Sequence, residues 1–364
     1  MTDEPTQPDQ RKLRIAAIVL VGAGALVQIL LSAYYLGVGH APAPHHLPVG
    51  YVAAPQTAPQ VQALIDKGGA FDAKQYQSDA ALIDAMKHKK IYGGVDVVDV
   101  QKPHLYTASA AGPTASNAIK TAFTLVVQQQ VAQQVQQLVA AGRPVSPAVL
   151  QGLTTPPQIT DVIPLPKDDP IGSSIGFLVQ ALALGATVAS IGLGRISERT
   201  HRSLQRGLRH AGLLVVYAGV SAGVVLGTSS LFGIIPDGAG GRLFLDFLLL
   251  SLAITASTTA VVTLVGAAGA LLGTLYFTLG VIISGSSILP EFLPAWGRVI
   301  GQALPPGAGV TAIREGLYVP DASAAGPIVV LALYAIVGLG VVIGANALAN
   351  RTAEHAVLAE TPAS

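Results

Sequence analysis

The stretch LFLDFLLLSLAITASTTAVVTLVGAAGALLGTLYFTLGVIISG, from Leu243 to Gly285, carries the strongest fold signal in the chain. It has one acidic residue and no basic residue. A helix needs about 20 apolar residues to cross a membrane, so this run is too long for one straight crossing. Within it, Gly266 to Gly269 read Gly-Ala-Ala-Gly and predict a tight turn between two spans, although a single bent helix would also fit such small residues.

Four other apolar runs have the length of a membrane span. Together with the divided run, they predict a polytopic α-helical membrane protein with six transmembrane helices. The predicted spans are residues 15–37, 171–194, 211–235, 243–265, 269–287 and 324–348.

The composition agrees with a membrane location. Hydrophobic residues make up 51% of the chain and charged residues 11%, whereas about a quarter of a soluble protein is charged. The net charge of +1 argues against a nucleic-acid partner, and the absence of Cys excludes disulfides and zinc ribbons. Membrane lipid is therefore the expected surrounding of most of the chain.

Basic residues near the spans predict the orientation. Arg11 to Arg14 include three of them, and five arginines with one acid follow the second span. Because cytoplasmic loops are enriched in Lys and Arg, both segments are expected inside the cell. Six crossings then place both tails, residues 1–14 and 349–364, in the cytoplasm of a plasma-membrane protein. The first span could instead be a signal peptide cleaved near Ala41 to Ala43, but it is longer than a typical one and is interpreted as an anchor.

Residues 38–169, between the first two spans, have a soluble composition and are predicted to form an exported domain. Strands are predicted at HHLPVGYVAA, FDAKQYQ, IYGGVDVVDV and KPHLYTASAAG, and ITDVIPLP is expected to lead back to the membrane. Helices are predicted from Thr57 to Lys67 and up to Lys90 after an N-cap at Ser78. The result is a sheet flanked by helices, an α/β or α+β domain inserted between helices one and two.

A longer helix is predicted from Thr114 to Ala141 in the same domain. Its apolar stripe is flanked by glutamines, a pattern typical of a helix that packs along one side only. Either the sheet of its own domain or a second subunit would cover that stripe. The stripe consists of Val127, Val131, Val135, Leu138 and Val139.

The sequence motifs of several enzyme classes are missing. The chain has no G-x-x-x-x-G-K-[ST], no G-x-S-x-G and no H-E-x-x-H. His40, His45 and His46 are close in sequence but have no acid nearby, and they are interpreted as part of a solvated tether. The protein is therefore not expected to be an enzyme, and no catalytic, cofactor-binding or metal-binding residue is predicted.

The predicted fourth span carries polar residues at helical spacing. Near its outer end, Asp246 could reach water or pair with Arg242. The hydroxyl groups that follow could bond to neighbouring helices or line a polar path. The polar-path candidates are Asp246, Ser251, Thr255, Thr258 and Thr259.

Glycines recur four residues apart in two other spans. Such spacing predicts close helix packing, either within the subunit or across a dimer. The glycines are Gly219, Gly223 and Gly227 in the third span and Gly340 and Gly344 in the last.

Three segments resemble a known family. His46 to Ala53 is similar to an opening LPVAVVN strand, here without the Asn, and SDAALIDAMKHKKIYGGVDVV resembles the helix and strand that follow it. ILPEFLPAWGRVIGQALPPGAGVTAIREGLYV resembles the block before the final span. Over nearly all of Leu13 to Leu348, the chain resembles the membrane subunits of type-2 ABC exporters, and among them the YhgE/Pip (phage infection protein) branch.

The resemblance implies that residues 288–319 form short helices and turns at the outer membrane surface. The prolines there would break helices, Trp296 and Tyr318 would suit the headgroup layer, and Arg314 could meet lipid phosphates. The segment is interpreted either as a cap on the helix bundle or as an exit gate. The candidates are Pro290, Pro294, Trp296, Pro305, Pro306, Arg314, Glu315 and Tyr318.

The resemblance also implies a separate ATP-binding subunit, with no cofactor on this chain and ATP acting only through that partner. The basic loop after the second span would dock it, although the positive-inside rule alone also explains the arginines. A homodimer or heterodimer of permeases is the expected assembly. The docking candidates are Arg195, Arg199, Arg202, Arg206 and Arg209.

Two functions follow as hypotheses. The favoured one is a bacterial export permease that moves a lipid-like or hydrophobic compound outward. The alternative is a non-transporting, membrane-anchored surface protein whose exported domain binds a partner or a component of the cell envelope.

Overall fold

The computed structural model describes residues 10–99, 102–142, 158–198 and 203–360. The chain divides into two units, Met1–Pro42 and Ala43–Ser364. The first contains helix α1, Gln10–Gly39, on which large apolar side chains such as Ile18 and Leu20 are exposed. Lipid would cover such a surface.

The described part of the chain is mostly helical and contains five helical stretches that are long and apolar enough to cross a membrane. These five stretches would equal the six predicted spans in number only if the fourth, Gly240–Gly280, crosses the membrane twice. The five stretches are Arg14–Gly39, Ser174–Gly194, Leu204–Leu231, Gly240–Gly280 and Ala325–Leu348.

Residues 43–169, which follow the first of these stretches in the sequence and precede the second, contain a five-stranded sheet and are called the sheet region. The strand order is β2-β1-β3-β4-β5. Strand β1 is parallel to both β2 and β3, β3 and β4 are antiparallel, and β4 and β5 are parallel. The strands are β1, Leu47–Val52; β2, Phe71–Gln75; β3, Gly93–Asp96; β4, His104–Thr107; and β5, Gln158–Asp161. The first four fall within the predicted strand segments, whereas β5 is a further strand that the sequence patterns did not predict.

Three helices belong to the sheet region: α2, Ala58–Asp66; α3, Asp79–Lys87; and α4, Pro113–Ala140. Ser78 caps α3 by accepting a hydrogen bond from Ala81 N, as its sequence position predicts. Leu82 of α3 packs so closely on β3 that a Cβ on Gly94 would lie 2.6 Å from it. On α4, the buried residues Ala115 and Ile119 lie near the N-terminal end, whereas the predicted stripe is half-buried or exposed in the described structure.

The remaining helices form a bundle around one central helix. They are α5, Ser174–Glu198; α6, Leu204–Leu231; α7, Gly240–Val265; α8, Leu271–Leu275; α9, Ala295–Ala303; α10, Pro305–Tyr318; and α11, Ala325–Glu360. Helix α7 is the central one, because it packs against α5, α6, α10 and α11 and buries residues on all of its sides.

Helix α11 packs closely on α7 at Gly338, which is not one of the glycines that the four-residue spacing predicted to pack. A Cβ on Gly338 would lie 2.6 Å from the main chain of Ala256. At Gly340 and Gly344, and at the three glycines of α6, a Cβ would meet no described atom within 4 Å apart from the nearby backbone of its own helix. Their predicted close packing within the subunit is therefore wrong, because these glycines face away from the bundle.

The chain reverses direction after α7, at the predicted Gly-Ala-Ala-Gly turn. Gly266 has a φ of +74°, and Gly269 sits where a Cβ would overlap the main chain of Val261 and Val262. Beyond the turn, Tyr276 Oη lies 3.2 Å from Ser257 Oγ. Residues 266–284, called the returning segment, therefore run back along α7.

The returning segment differs from the predicted α-helix at 269–287. It consists of a 3₁₀ helix at Gly266–Ala270, α8, a π-helix at Tyr276–Gly280 and another 3₁₀ helix at Ile282–Ser284. Gly273 lies against the side chain of Thr187, and Gly280 lies against Pro306. Glycines favour close contact but weaken a regular helix, which accounts for the irregular backbone.

The prolines of residues 288–319 begin helices rather than break them. Pro305 and Pro306 occupy the first positions of α10, and Pro294 immediately precedes α9. Pro290 starts a short 3₁₀ helix. Proline suits the first helical turn because the N–H groups there have no intrahelical partner. The sequence prediction overlooked this positional rule.

Candidate functional site

The candidate site is a cavity of about 280 Å³ between the sheet region and the adjoining end of the helix bundle. Its wall includes the first residues of α4 and α5 and the segment Gly285 to Leu289. Arg314 of α10 contributes the charged side chain on this wall. A group of buried and half-buried charged side chains next to the cavity joins these two parts of the protein.

This junction cluster consists of Lys89, Glu291, Arg314 and Glu315. Lys89 Nζ donates a hydrogen bond to Glu315 Oε1 at 3.2 Å, and their side chains are 14% and 6% exposed. Burial, and then the charge of Arg314, lowers the pKa of Lys89 below its usual value, while Glu315 opposes that shift. Lys89 also has a φ of +54°, a backbone conformation in which glycine is usual. The ion pair therefore offsets both burial and backbone strain.

Arg314 is only 4% exposed, so its side chain lies inside the protein and not on the open outer surface. Its Nη2 donates hydrogen bonds to the carbonyl oxygens of Gly285 at 2.8 Å and Ser286 at 3.4 Å. Helix α10 turns this side chain towards the loop after the returning segment. Arg314 therefore ties α10 to the cavity wall.

A second set of hydrogen bonds connects the same elements. The Tyr92 hydroxyl donates to Glu291 Oε1 at 2.9 Å, and burial followed by Glu291 raises the pKa of Tyr92 well above its usual value. The Tyr318 hydroxyl donates to Asp169 Oδ2 at 2.6 Å. Tyr318 is 7% exposed, so the headgroup position predicted for it is wrong. The Asp169 carboxylate, 149 residues away along the chain, gives the buried Tyr318 hydroxyl a hydrogen-bond acceptor.

The other predicted members of the outer segment have simpler environments. Trp296 is half-exposed at the start of α9, and its position in the headgroup layer stays a prediction. Pro290 packs on Gly285, where a Cβ would lie 3.0 Å from its ring. The sequence prediction missed Lys89, Tyr92, Asp169 and Glu291, because nothing in their local patterns indicates that they meet α10.

The polar-path candidates lie within the core of the bundle. Asp246 is 2% exposed and its Oδ2 is 4.0 Å from Arg242 Nε, so it lies beside the predicted partner but does not reach water in the structure. The Thr255 hydroxyl donates to Ser251 O at 2.7 Å. Among the described residues, the hydroxyls of Ser251, Thr258 and Thr259 have no hydrogen-bond partner. This arrangement is that of a packed helix.

Replacing Thr258 by Val tests this interpretation. The change keeps the shape of the side chain and removes a buried hydroxyl that has no partner in the described structure. We expect the free energy of unfolding to stay unchanged or to rise by about 1 kcal/mol. Thermal unfolding in detergent measures it. The matched Thr255→Val variant loses a hydrogen bond and should not be more stable; a Thr258→Val protein less stable than this control would indicate a polar path.

The docking candidates are only partly within the described structure. Arg199 and Arg202 lie outside the described residues, and Arg195 belongs to the last turn of α5. Arg206 and Arg209 are exposed, but on α6 rather than in a loop. Helix α6 begins seven residues earlier than predicted because Ser203 accepts a hydrogen bond from Arg206 N and caps it.

The arrangement can bind and position polar groups at the junction. Among the described residues, no group of three or more His, Asp or Glu side chains is arranged to hold a metal ion.

The model of the family described as "ABC-2 family transporter protein" matches residues 15–343. Neither the search of curated proteins nor that of solved structures produced a match.

Proposed function

The chain belongs to the ABC-2 family of transporter proteins, and from that premise we propose that it is the permease subunit of an ABC exporter. The family implies a membrane-embedded subunit that works with an ATP-binding partner. The observation that carries the proposal is the extent of the match, which covers the sheet region as well as all five candidate membrane spans almost completely. ATP then acts through the partner, and this chain holds no cofactor of its own.

The proposed topology has six crossings. The reversal at Gly266 supports two crossings within Gly240–Gly280, and the arginines between α5 and α6 support a cytoplasmic position for that connection. The sheet region then lies outside the cell and both termini lie inside. This places the candidate cavity at the outer surface of the plasma membrane.

The proposed branch is YhgE/Pip, and the proposed cargo is a lipid-like or hydrophobic compound that moves outward. The branch is supported by the segments that form β1, α3 with β3, and α9 with α10. A dimer of permeases is supported by α6, where the three glycines spaced four apart leave an open face. The apolar, charge-poor bundle supports the class of cargo.

The docking of an ATP-binding subunit can be tested with an Arg206→Ala/Arg209→Ala variant. Both side chains are exposed at the start of α6, so their loss should not disturb packing. We expect the tagged wild type, solubilised from its native membrane, to retain an ATP-binding subunit and the variant to retain about tenfold less, because several charge-assisted contacts are lost. Quantitative mass spectrometry of the purified complex measures the ratio.

Gln205→Ala is the matched control, since it changes an exposed side chain on the same turn without changing charge. It should retain the partner as the wild type does. Failure of the wild type to retain any ATP-binding subunit, under conditions that preserve a known ABC complex, would contradict the proposal. The surface-protein hypothesis, in which the sheet region binds an envelope component, would then be the better one.

A further inference from the structure

The cavity beside the junction cluster has the features of an anion-binding site. We propose that it binds a phosphate group carried by an amphiphile or present as a free anion, with Arg314 and the N-terminal end of α4 as its donors. The proposal concerns the binding of a ligand in this cavity and not its transport, so it goes beyond the proposed transport activity. It also requires no ATP-binding subunit.

Arg314 supplies the positive charge. A guanidinium carries five N–H donors, and in the described structure the hydrogen bonds of Arg314 all come from Nη2. The residue is only 4% exposed, but it lines the cavity. Its Nε and Nη1 are not among the fully buried nitrogen atoms that lack a hydrogen-bond partner. Donors of this buried side chain therefore remain for a group inside the cavity.

The start of α4 supplies a second donor group. Gly112 precedes the helix and offers no side-chain cap, and Pro113 and Thr114 of its first turn line the cavity. The unpaired N–H groups of a long helix attract anions. The start of α5 contributes less, because Asp169 already accepts hydrogen bonds from Ser173 N and Ser174 N.

The nearby carboxylates are held by other partners. Glu315 accepts from Lys89, Glu291 from Tyr92, and Asp169 from Tyr318 and α5. None of the three lines the cavity wall, where Arg314 is the charged side chain among the described residues. The wall therefore favours a negative group, despite the balanced charges of the junction cluster behind it.

The size and the mouth of the cavity suit a headgroup with an attached chain. A volume of about 280 Å³ is at the lower end of small-molecule pockets and cannot hold a whole lipid. Ile171 and Phe177 at its edge are 73% and 68% exposed. In the proposed topology they would meet the hydrocarbon of a lipid whose phosphate lies inside the cavity.

Gly176→Leu tests the site by filling it. Gly176 lines the cavity, and a Cβ there has ordinary contact only with Ser286 Cβ at 3.9 Å, so the variant should fold. Gly192→Leu is the control on the same helix, because no atom lies within 4 Å of its Cβ. Arg314→Gln removes the charge but changes a buried residue. The Gly176→Leu result stands by itself if Arg314→Gln does not fold.

The experiment uses the full chain in a sugar-based detergent and phosphate-free buffer. The probes are phosphatidylglycerol, diacylglycerol and inorganic phosphate, each alone, with bound molecules counted by native mass spectrometry. We expect phosphatidylglycerol to bind the wild type and Gly192→Leu alike, and Gly176→Leu and Arg314→Gln about tenfold or more weakly, as the loss of charge-assisted hydrogen bonds implies. Diacylglycerol, which lacks the phosphate, should bind weakly to all.

The outcomes separate the sources of the phosphate. Binding of inorganic phosphate alone, lost in Gly176→Leu, would support the anion site with a soluble ligand. Equal binding of phosphatidylglycerol to wild type and Gly176→Leu, or equal binding of phosphatidylglycerol and diacylglycerol, would overturn the proposal. No ATP-binding subunit takes part, so a failure here is distinct from a failure of partner docking.

Discussion

A Gly301→Ala variant is expected to yield almost no folded protein. Gly301 lies in α9, where a Cβ would overlap the carbonyl oxygen of Ile283. Gly307, at the start of α10, makes a similar approach to Gly301 O. Because main-chain atoms on both sides cannot move independently, we expect a loss of about 3 kcal/mol or more in the free energy of unfolding. Thermal unfolding and the yield of monodisperse protein in detergent measure the effect.

Gly297→Ala is the matched control on the same helix. The nearest atom to a Cβ there is Ile283 Cγ2 at 3.6 Å, an ordinary contact. Since Ala has the higher helix propensity, this variant should be unchanged or more stable by up to about 1 kcal/mol. Equal stability of Gly301→Ala and Gly297→Ala would show that α9 does not pack on the returning segment as described.

Lys89→Met should cause the second large loss of stability. The variant leaves the carboxylate of Glu315 buried at 6% side-chain exposure without its cation. Removing one partner of a buried ion pair costs about 3 to 5 kcal/mol, because the remaining charge stays desolvated. The same change should loosen the sheet region from α10, which hydrogen exchange of β3 and α10 would detect along with the fall in unfolding temperature.

A double-mutant cycle separates the ion pair from side-chain packing. Lys89→Met combined with Glu315→Met removes both charges, and apolar replacement of a complete buried pair is often neutral, so most of the loss should be recovered. Lys90→Met, which changes an exposed neighbour, should alter stability by less than about 0.5 kcal/mol. A double variant as unstable as Lys89→Met alone would argue against the Lys89 and Glu315 pairing.

Local patterns predicted the elements of the sheet region other than β5, because the relevant signals are short in range. The strand around LPVGYV, the Ser78 cap and the long helix from Pro113 each depend on periodicity or on residues within a few positions. Their ends differ from the predictions by a few residues. Larger errors arose at Ser203 and at the prolines of α9 and α10, where a cap or a first-turn position moves a helix boundary.

The sequence by itself determined that this is a mostly helical membrane protein with a strand-rich region between its first two candidate spans, since run length and periodicity are properties of neighbouring residues. Only the tertiary structure decided the junction. Lys89 meets Glu315 across a separation of 226 residues, and Tyr92 meets Glu291 across 199. A charged residue at the end of a helix has the same local pattern whether it faces water or a buried partner. The candidate cavity therefore became visible only when distant helix ends were brought together and Arg314 was buried among them.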